Sequence, residues 1–208
     1  LMNKSVKHML AKQVNPNIIN KGEGVKSMSF NSSTNLNLIY LYYSNKFQDE
    51  KNNFHYFDYD LDNTLLGFFD PKKILRLDVY NLLMQSTNSN HGLAVNNRKF
   101  YWNSLENYFE PINYDSNVDI NKKNSSNIQR NYRLPISKQF FKAFEDLETQ
   151  LLTLDLNKIK NNIDLSGIKM SNKDLTSKID KILKNLSIIK NNYENINNQD
   201  LVDHNKFK

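Results

Sequence analysis

The clearest pattern of apolar and polar positions lies in the last third of the chain. Between Pro135 and Leu156, the residues Phe140, Phe141, Phe144, Leu147, Leu151 and Leu154 recur at spacings of three and four. That period belongs to a helix that buries one stripe. A second helix is predicted from near Ser171, where Asp174 at the third position makes an acidic variant of the capping box. Its apolar face reads Leu175, Ile179, Ile182, Leu183, Leu186, Ile189 and Tyr193. A short link around Gly167 lets the two helices pair antiparallel. Residues 197–208 are expected to fray.

Upstream the period changes. Leu36 to Tyr43 is dense in Leu, Ile and Tyr, and Phe54 to Tyr59 alternates, so both are predicted as strands with a hairpin across Ser44 to Asn53. Asp70-Pro71 then opens a helix, with Asp70 as N-cap and Pro71 at the first turn. Ile74, Leu75, Leu77, Val79, Leu82 and Leu83 carry it to about Gln85. Ser86 to Asn97 reads as a polar loop turning at Asn90-His91-Gly92. Arg98 to Phe109 is aromatic-rich and is predicted as a short helix or strand. Asn113 to Asn131 has no periodicity and reads as disordered or ordered only by a partner.

The expectation is an α+β fold. A basic extension (residues 1–35) precedes a small mixed core with an aromatic-rich sheet or hairpin (36–112). A basic Asn/Ser-rich loop (113–134) follows, then a helical hairpin and tail (135–208).

Composition changes this picture in one respect. About one residue in six is Asn, Lys outnumbers Arg six to one, and Ala occurs only at Ala11, Ala94 and Ala143. Asn, Lys, Ile, Tyr and Phe have AT-rich codons, so these biases report first on an AT-biased genome, as in an organelle. Apolar residues make up 38% of the chain, against about 45–50% in ordinary domains. The 12 Phe and 11 Tyr make up part of the deficit. A thin aromatic core with polar margins suits a chain that completes its burial against partners.

Cysteine is absent, which excludes disulfides, thiolate metal sites and a cysteine nucleophile. No stretch approaches the ~18 apolar residues of a membrane span, and no secretory signal is visible. His8, His55, His91 and His204 have no ligand spacing. No metal or cofactor is expected.

The net charge of +6 suits acidic partners, and its distribution is more informative than its size. Lys4, Lys7, Lys12, Lys21 and Lys26 face one acid, Glu23, in the N-terminal extension. Lys122, Lys123, Arg130, Arg133, Lys138 and Lys142 lie in a stretch without Asp or Glu. Three of the four arginines fall between Arg98 and Arg133. Guanidinium groups bind phosphate bidentately and stack on bases. Arg98, Lys99, Tyr101 and Trp102 add aromatics to cations, the pairing used on unstacked RNA. The predicted RNA-contacting set is therefore Lys4, Lys7, Lys12, Lys21, Lys26, Arg98, Lys99, Tyr101, Trp102, Lys122, Lys123, Arg130 and Arg133. A solvated basic loop over core aromatics is the plainer reading of the same residues. Residues 145–164 lean acidic, so the helices at 135–156 and 171–196 are expected to dock on proteins.

Two resemblances bear on function. Asp60-x-Asp62-x-Thr64 resembles the first motif of haloacid-dehalogenase-type phosphatases. That likeness implies a nucleophilic Asp60, an acid/base Asp62 and a magnesium ion. A strand followed by an Asx turn accounts for the same string. Gln13-Val14-Asn15-Pro16 resembles the opening of bacterial-type small-subunit ribosomal protein three. The stretch from Ile18 to Glu23, with Ser32-Ser33-Thr34 and Ile39-Tyr40, is similar to its fungal mitochondrial relatives, the variable ribosomal proteins. This second likeness implies an N-terminal tail that touches ribosomal RNA.

The leading expectation is a non-enzymatic, organelle-encoded structural protein of the mitochondrial matrix. It would contact ribosomal RNA and neighbouring ribosomal proteins, in the small subunit. A non-catalytic scaffold subunit of another organellar complex, of respiratory type, is the alternative. A phosphatase is the third.

Overall fold

The computed structural model describes residues 32–39, 63–93, 97–103, 105–106, 108–122 and 140–206, with side chains described as far as Glu194. It is an α+β fold. Helix α1 (Asn63–Leu66) leads into α2 (Pro71–Ser86), a 3-10 turn (Asn90–Leu93), and a hairpin of β1 (Lys99–Asn103) and β2 (Tyr108–Ile112). Helices α3 (Phe140–Leu152), α4 (Leu156–Leu165) and α5 (Asn172–Lys206) form the C-terminal part. The predicted N-cap is present at the start of α2, where the Asp70 carboxylate accepts from the backbone N–H of Lys72 at 2.9 Å. That backbone hydrogen bond holds the Asp70 carboxyl below its ordinary value.

Helix α2 is the centre of the molecule because both its sides are buried. At about 100° per residue, Leu75, Val79, Leu82 and Leu83 share one side while Leu77, Asp78, Asn81 and Gln85 share another. The first side joins Phe140, Ala143, Phe144, Leu147 and Leu151 of α3, and Ile182, Leu186, Ile189 and Tyr193 of α5. The face predicted for the last helix is thus the face it buries. Phe140, at the start of α3, meets Tyr193 late in α5 with ring centroids 4.5 Å apart, the contact expected of an antiparallel pair.

Through Leu77, the other side of α2 joins a second core, made of Leu36, Ile39, Leu66, Tyr108 and Phe109. Phe68, Phe100 and Trp102 pack against it. Phe68 reaches it from a tight turn in which Phe68 and Phe69 both adopt left-handed φ, 51° and 60°. That conformation is unfavourable for a residue with a Cβ, and stacking of Phe68 on Phe109 at 5.9 Å offsets it.

Two expectations about the elements are corrected. Residues 32–39 are helical, not the start of a strand, since Leu36 and Ile39 at i and i+3 need only a helix to reach the second core. The remainder of that predicted strand and the whole of Phe54 to Tyr59 lie outside the described residues. The single helix predicted to Leu156 instead stops at Leu152, and Asp155 caps a new one by accepting from the N–H of Asn157 and Lys158, both at 3.0 Å. Leu154 is therefore exposed, not part of the buried stripe. The link at Gly167, whose φ is +77°, ends α4 with the left-handed cap that glycine allows. Ser171 and Asp174 form the predicted capping box. The Ser171 hydroxyl donates to the carboxylate at 2.6 Å and accepts from the Asp174 N–H at 3.1 Å.

Candidate nucleic-acid interface

Alternation along β1 sorts the aromatic-cationic string into two faces. Phe100 and Trp102 turn inward. Trp102 lies opposite Phe109 with centroids 4.6 Å apart and meets Phe68 edge-on at 6.1 Å. Lys99 and Tyr101 turn outward. The Lys99 ammonium sits 3.1 Å from the centroid of the Tyr114 ring, a cation–π contact worth about 0.5–1 kcal/mol at an exposed site. Tyr101 is 61% exposed and Tyr114 48%. Glu110 lies opposite Tyr101 and accepts from the Asn103 amide at 2.8 Å, placing one acid on this face.

Arg98 is corrected. It precedes β1 and is 2% exposed, with its guanidinium donating to Asn81 Oδ1 and lying 5.9 Å from the Phe100 ring centroid. It does not belong to a phosphate-contacting surface. The side of α2 turned toward it carries Asp78, Asn81 and Gln85, all buried, and Asp78 accepts from Asn63 Nδ2 at 2.7 Å. Each buried charge has a polar partner here, Arg98 with Asn81 and Asp78 with Asn63. It fastens α1 and the foot of the hairpin to α2. Trp102 is likewise a core residue first, with only a half-buried edge at the surface.

Lys122 is exposed and sits at an anchored point of the chain. Residues 113–122, expected to need a partner for order, are tied down by side-chain amides. Asn88 donates to the carbonyl oxygens of Asp119 at 3.1 Å and Lys122 at 2.6 Å. Asn185 of α5 donates to Ser86 O at 2.9 Å and Lys122 O at 3.3 Å, and Lys181 donates to Asn121 Oδ1 at 2.8 Å. Three segments distant in sequence therefore meet beneath Lys122. Gly92 allows a fourth approach, since a Cβ there would stand 2.7 Å from Met84 Cε and 2.9 Å from Ser116 Cβ.

Sequence reasoning missed Asn88, Lys181 and Asn185. The available signal was Asn185 between Ile182 and Leu186 on an apolar face, where a polar side chain must find partners. The abundance of Asn hid it.

The other predicted contacts, Lys4, Lys7, Lys12, Lys21, Lys26, Lys123, Arg130 and Arg133, lie outside the described residues, as do Asp60 and Asp62. Thr64 falls in α1. The sheet among the described residues is the antiparallel pair alone, and no group of acids and histidines there has the arrangement of a metal site. His91 faces Asp115 at 3.5 Å on the surface. No described helix is long and apolar enough to cross a membrane. Comparison with known proteins gives no match: no family model fits the chain, and no curated protein or solved structure is significantly similar to it.

Proposed function

We propose that this chain is a structural, RNA-contacting component of a mitochondrial ribosome, with the small subunit favoured. The observation that carries the proposal is the outward face of β1, where the half-buried Lys99 lies against exposed Tyr114 beside exposed Tyr101, while Phe100 and Trp102 close the core. Exposed aromatics beside a cation suit stacking on unpaired bases and contact with phosphate. The mitochondrial assignment rests on the AT-biased composition and on the resemblance of the N-terminal stretch to the variable ribosomal proteins. Thin cores are tolerable in such an assembly because RNA and neighbouring proteins supply counter-charge and further burial.

A second reading, a scaffold subunit of another organellar complex, is favoured by one observation. Helix α4 buries none of its residues fully, and Leu152, Leu154, Leu165 and Ile168 around it are exposed, Leu165 at 87%. Such a surface suits a protein neighbour. A gradient profile of detergent-solubilised mitochondria with and without ribonuclease separates the two. Migration with the small ribosomal subunit, lost after ribonuclease, is expected. Migration with membrane complexes that survives ribonuclease would reject the ribosomal reading in favour of the scaffold.

A further inference from the structure

We infer that Lys181 and Lys184 of α5 join Lys122 in one phosphate-binding face for RNA, so that the RNA contact extends onto the helical module. The inference rests on the RNA-contacting reading and adds residues to it. Sequence patterning alone assigns this helix to protein docking.

The face is built by the clamp described above. Asn185 holds the Lys122 carbonyl from α5, and Lys181, one turn earlier, holds the Asn121 side chain. Lys181 and Lys184 are three residues apart, so their Cβ atoms lie about 5–6 Å from each other on the helix surface. Both are exposed, as is Lys122. Two acids belong to the same surface. Asp119 is engaged, its Oδ1 accepting from the N–H groups of Asn121 and Lys122, each at 3.2 Å. Asp180 is exposed one turn before Lys184 and tempers the patch without cancelling it.

The charge of the neighbouring sequence points the same way. The chain leaving Lys122 carries Lys123, Arg130, Arg133 and Lys138 and no acid before Phe140. Helix α3 carries Glu145, Asp146 and Glu148, and α5 carries Asp174 and Glu194 on turns other than the one holding Lys181 and Lys184, where Asp180 is the acid. Lysine ammonium groups on flexible stems suit backbone phosphates, which demand charge without fixed geometry.

The test uses the purified full chain and a fluorescein-labelled single-stranded RNA of mixed sequence, titrated across salt concentrations. Each phosphate contact removed lowers the slope of log affinity against log salt by about 0.7. Lys181→Ala/Lys184→Ala should weaken binding and flatten the slope by about 1.4. Lys181→Arg/Lys184→Arg should restore both. Lys158→Ala/Lys169→Ala removes equal charge from the exposed surface around α4 and should leave the slope unchanged. A wild-type chain that fails to bind RNA overturns the inference together with the reading beneath it. Wild-type binding with an unchanged Lys181/Lys184 variant overturns the inference alone. An equal loss in the Lys158/Lys169 variant also overturns it, by showing dependence on net charge only. Polyglutamate binding that requires Lys181 and Lys184, with RNA binding that does not, assigns the face to an acidic protein and rejects RNA.

Discussion

The two sides of α2 solve the problem of burial differently. Toward α3 and α5 the interface is apolar, with Leu82, Phe140, Phe144, Leu147, Leu186 and Ile189 in one cluster. Toward the hairpin it mixes aromatic rings with Asp78, Asn81, Gln85 and Arg98, all buried. The apolar side gains stability with every methylene it hides, in proportion to the area buried. The polar side gains little net energy from its hydrogen bonds, but leaving any one partner unmatched is costly. It should therefore act as a unit. The contrast is between packing graded by buried area and a network that fails when one partner is lost.

The largest effect is expected on the apolar side. Phe140 is 1% exposed and meets both Phe144, at 5.0 Å, and Tyr193. Phe140→Ala removes these contacts and leaves a cavity, at a cost of about 3–5 kcal/mol. Denaturant unfolding should report it as a lower midpoint at unchanged slope. A loss below ~1 kcal/mol, the scale of a surface change, would mean that α3 is not part of the same cooperative core.

The next effect tests the network. Asn81→Leu deprives the buried Arg98 guanidinium of an acceptor and should cost roughly 1.5–3 kcal/mol. Arg98→Met should be comparably harmful, because it leaves Asn81 Oδ1 buried beside an apolar chain. Made together, the two changes should cost less than their sum, by about 0.5–3 kcal/mol of coupling. Simple additivity would place Arg98 and Asn81 in independent environments and remove the contrast with the helical side.

The same contrast explains what the sequence shows. The helical side was legible because an apolar stripe announces itself by period alone, and local caps such as Asp70 and Ser171 fix where it starts. The break at Asp155 was not, since Leu154 and Leu156 continue the apolar run across it and only the capping hydrogen bonds reveal the stop. On the hairpin side, Asp78, Asn81 and Gln85 look like an ordinary solvent-facing stripe until the partners that cover them are placed. Arg98 misled for the same reason. An arginine beside Lys99, Tyr101 and Trp102 has the chemistry of a nucleic-acid contact, and only the strand's alternation, together with Asn81 on α2, assigns it to the interior. Tyr101 is exposed and Lys99 half-buried on the outward register of β1.

The smallest effect at neutral pH, and the sharpest probe of the hairpin side, comes from Tyr108. Burial pushes its phenol up to about 12 from an ordinary value of 10.0. The Arg76 guanidinium opposes that shift, whereas Glu110 and Glu106 add to it. Arg76 and Glu106 are themselves paired at 2.6 Å on the surface, bridging α2 to the hairpin turn. A group whose folded pKa is raised keeps its full contribution below its unfolded value and loses it as pH climbs to the folded one. Stability referable to Tyr108 should thus be intact below pH 10 and fall progressively toward pH 12. Tyr108→Phe keeps the ring in the second core and has no proton to lose. The two proteins should differ little at neutral pH, and the gap should shift in favour of the variant as pH rises through that window. Thermal unfolding at stepped alkaline pH measures it, with Tyr101→Phe as an exposed control that leaves the slope of the wild type unchanged. Parallel curves for wild type and Tyr108→Phe would mean that water reaches Tyr108 and that the hairpin opens from α2 before the molecule unfolds, which would make the polar side a separate unit and not one face of a shared core.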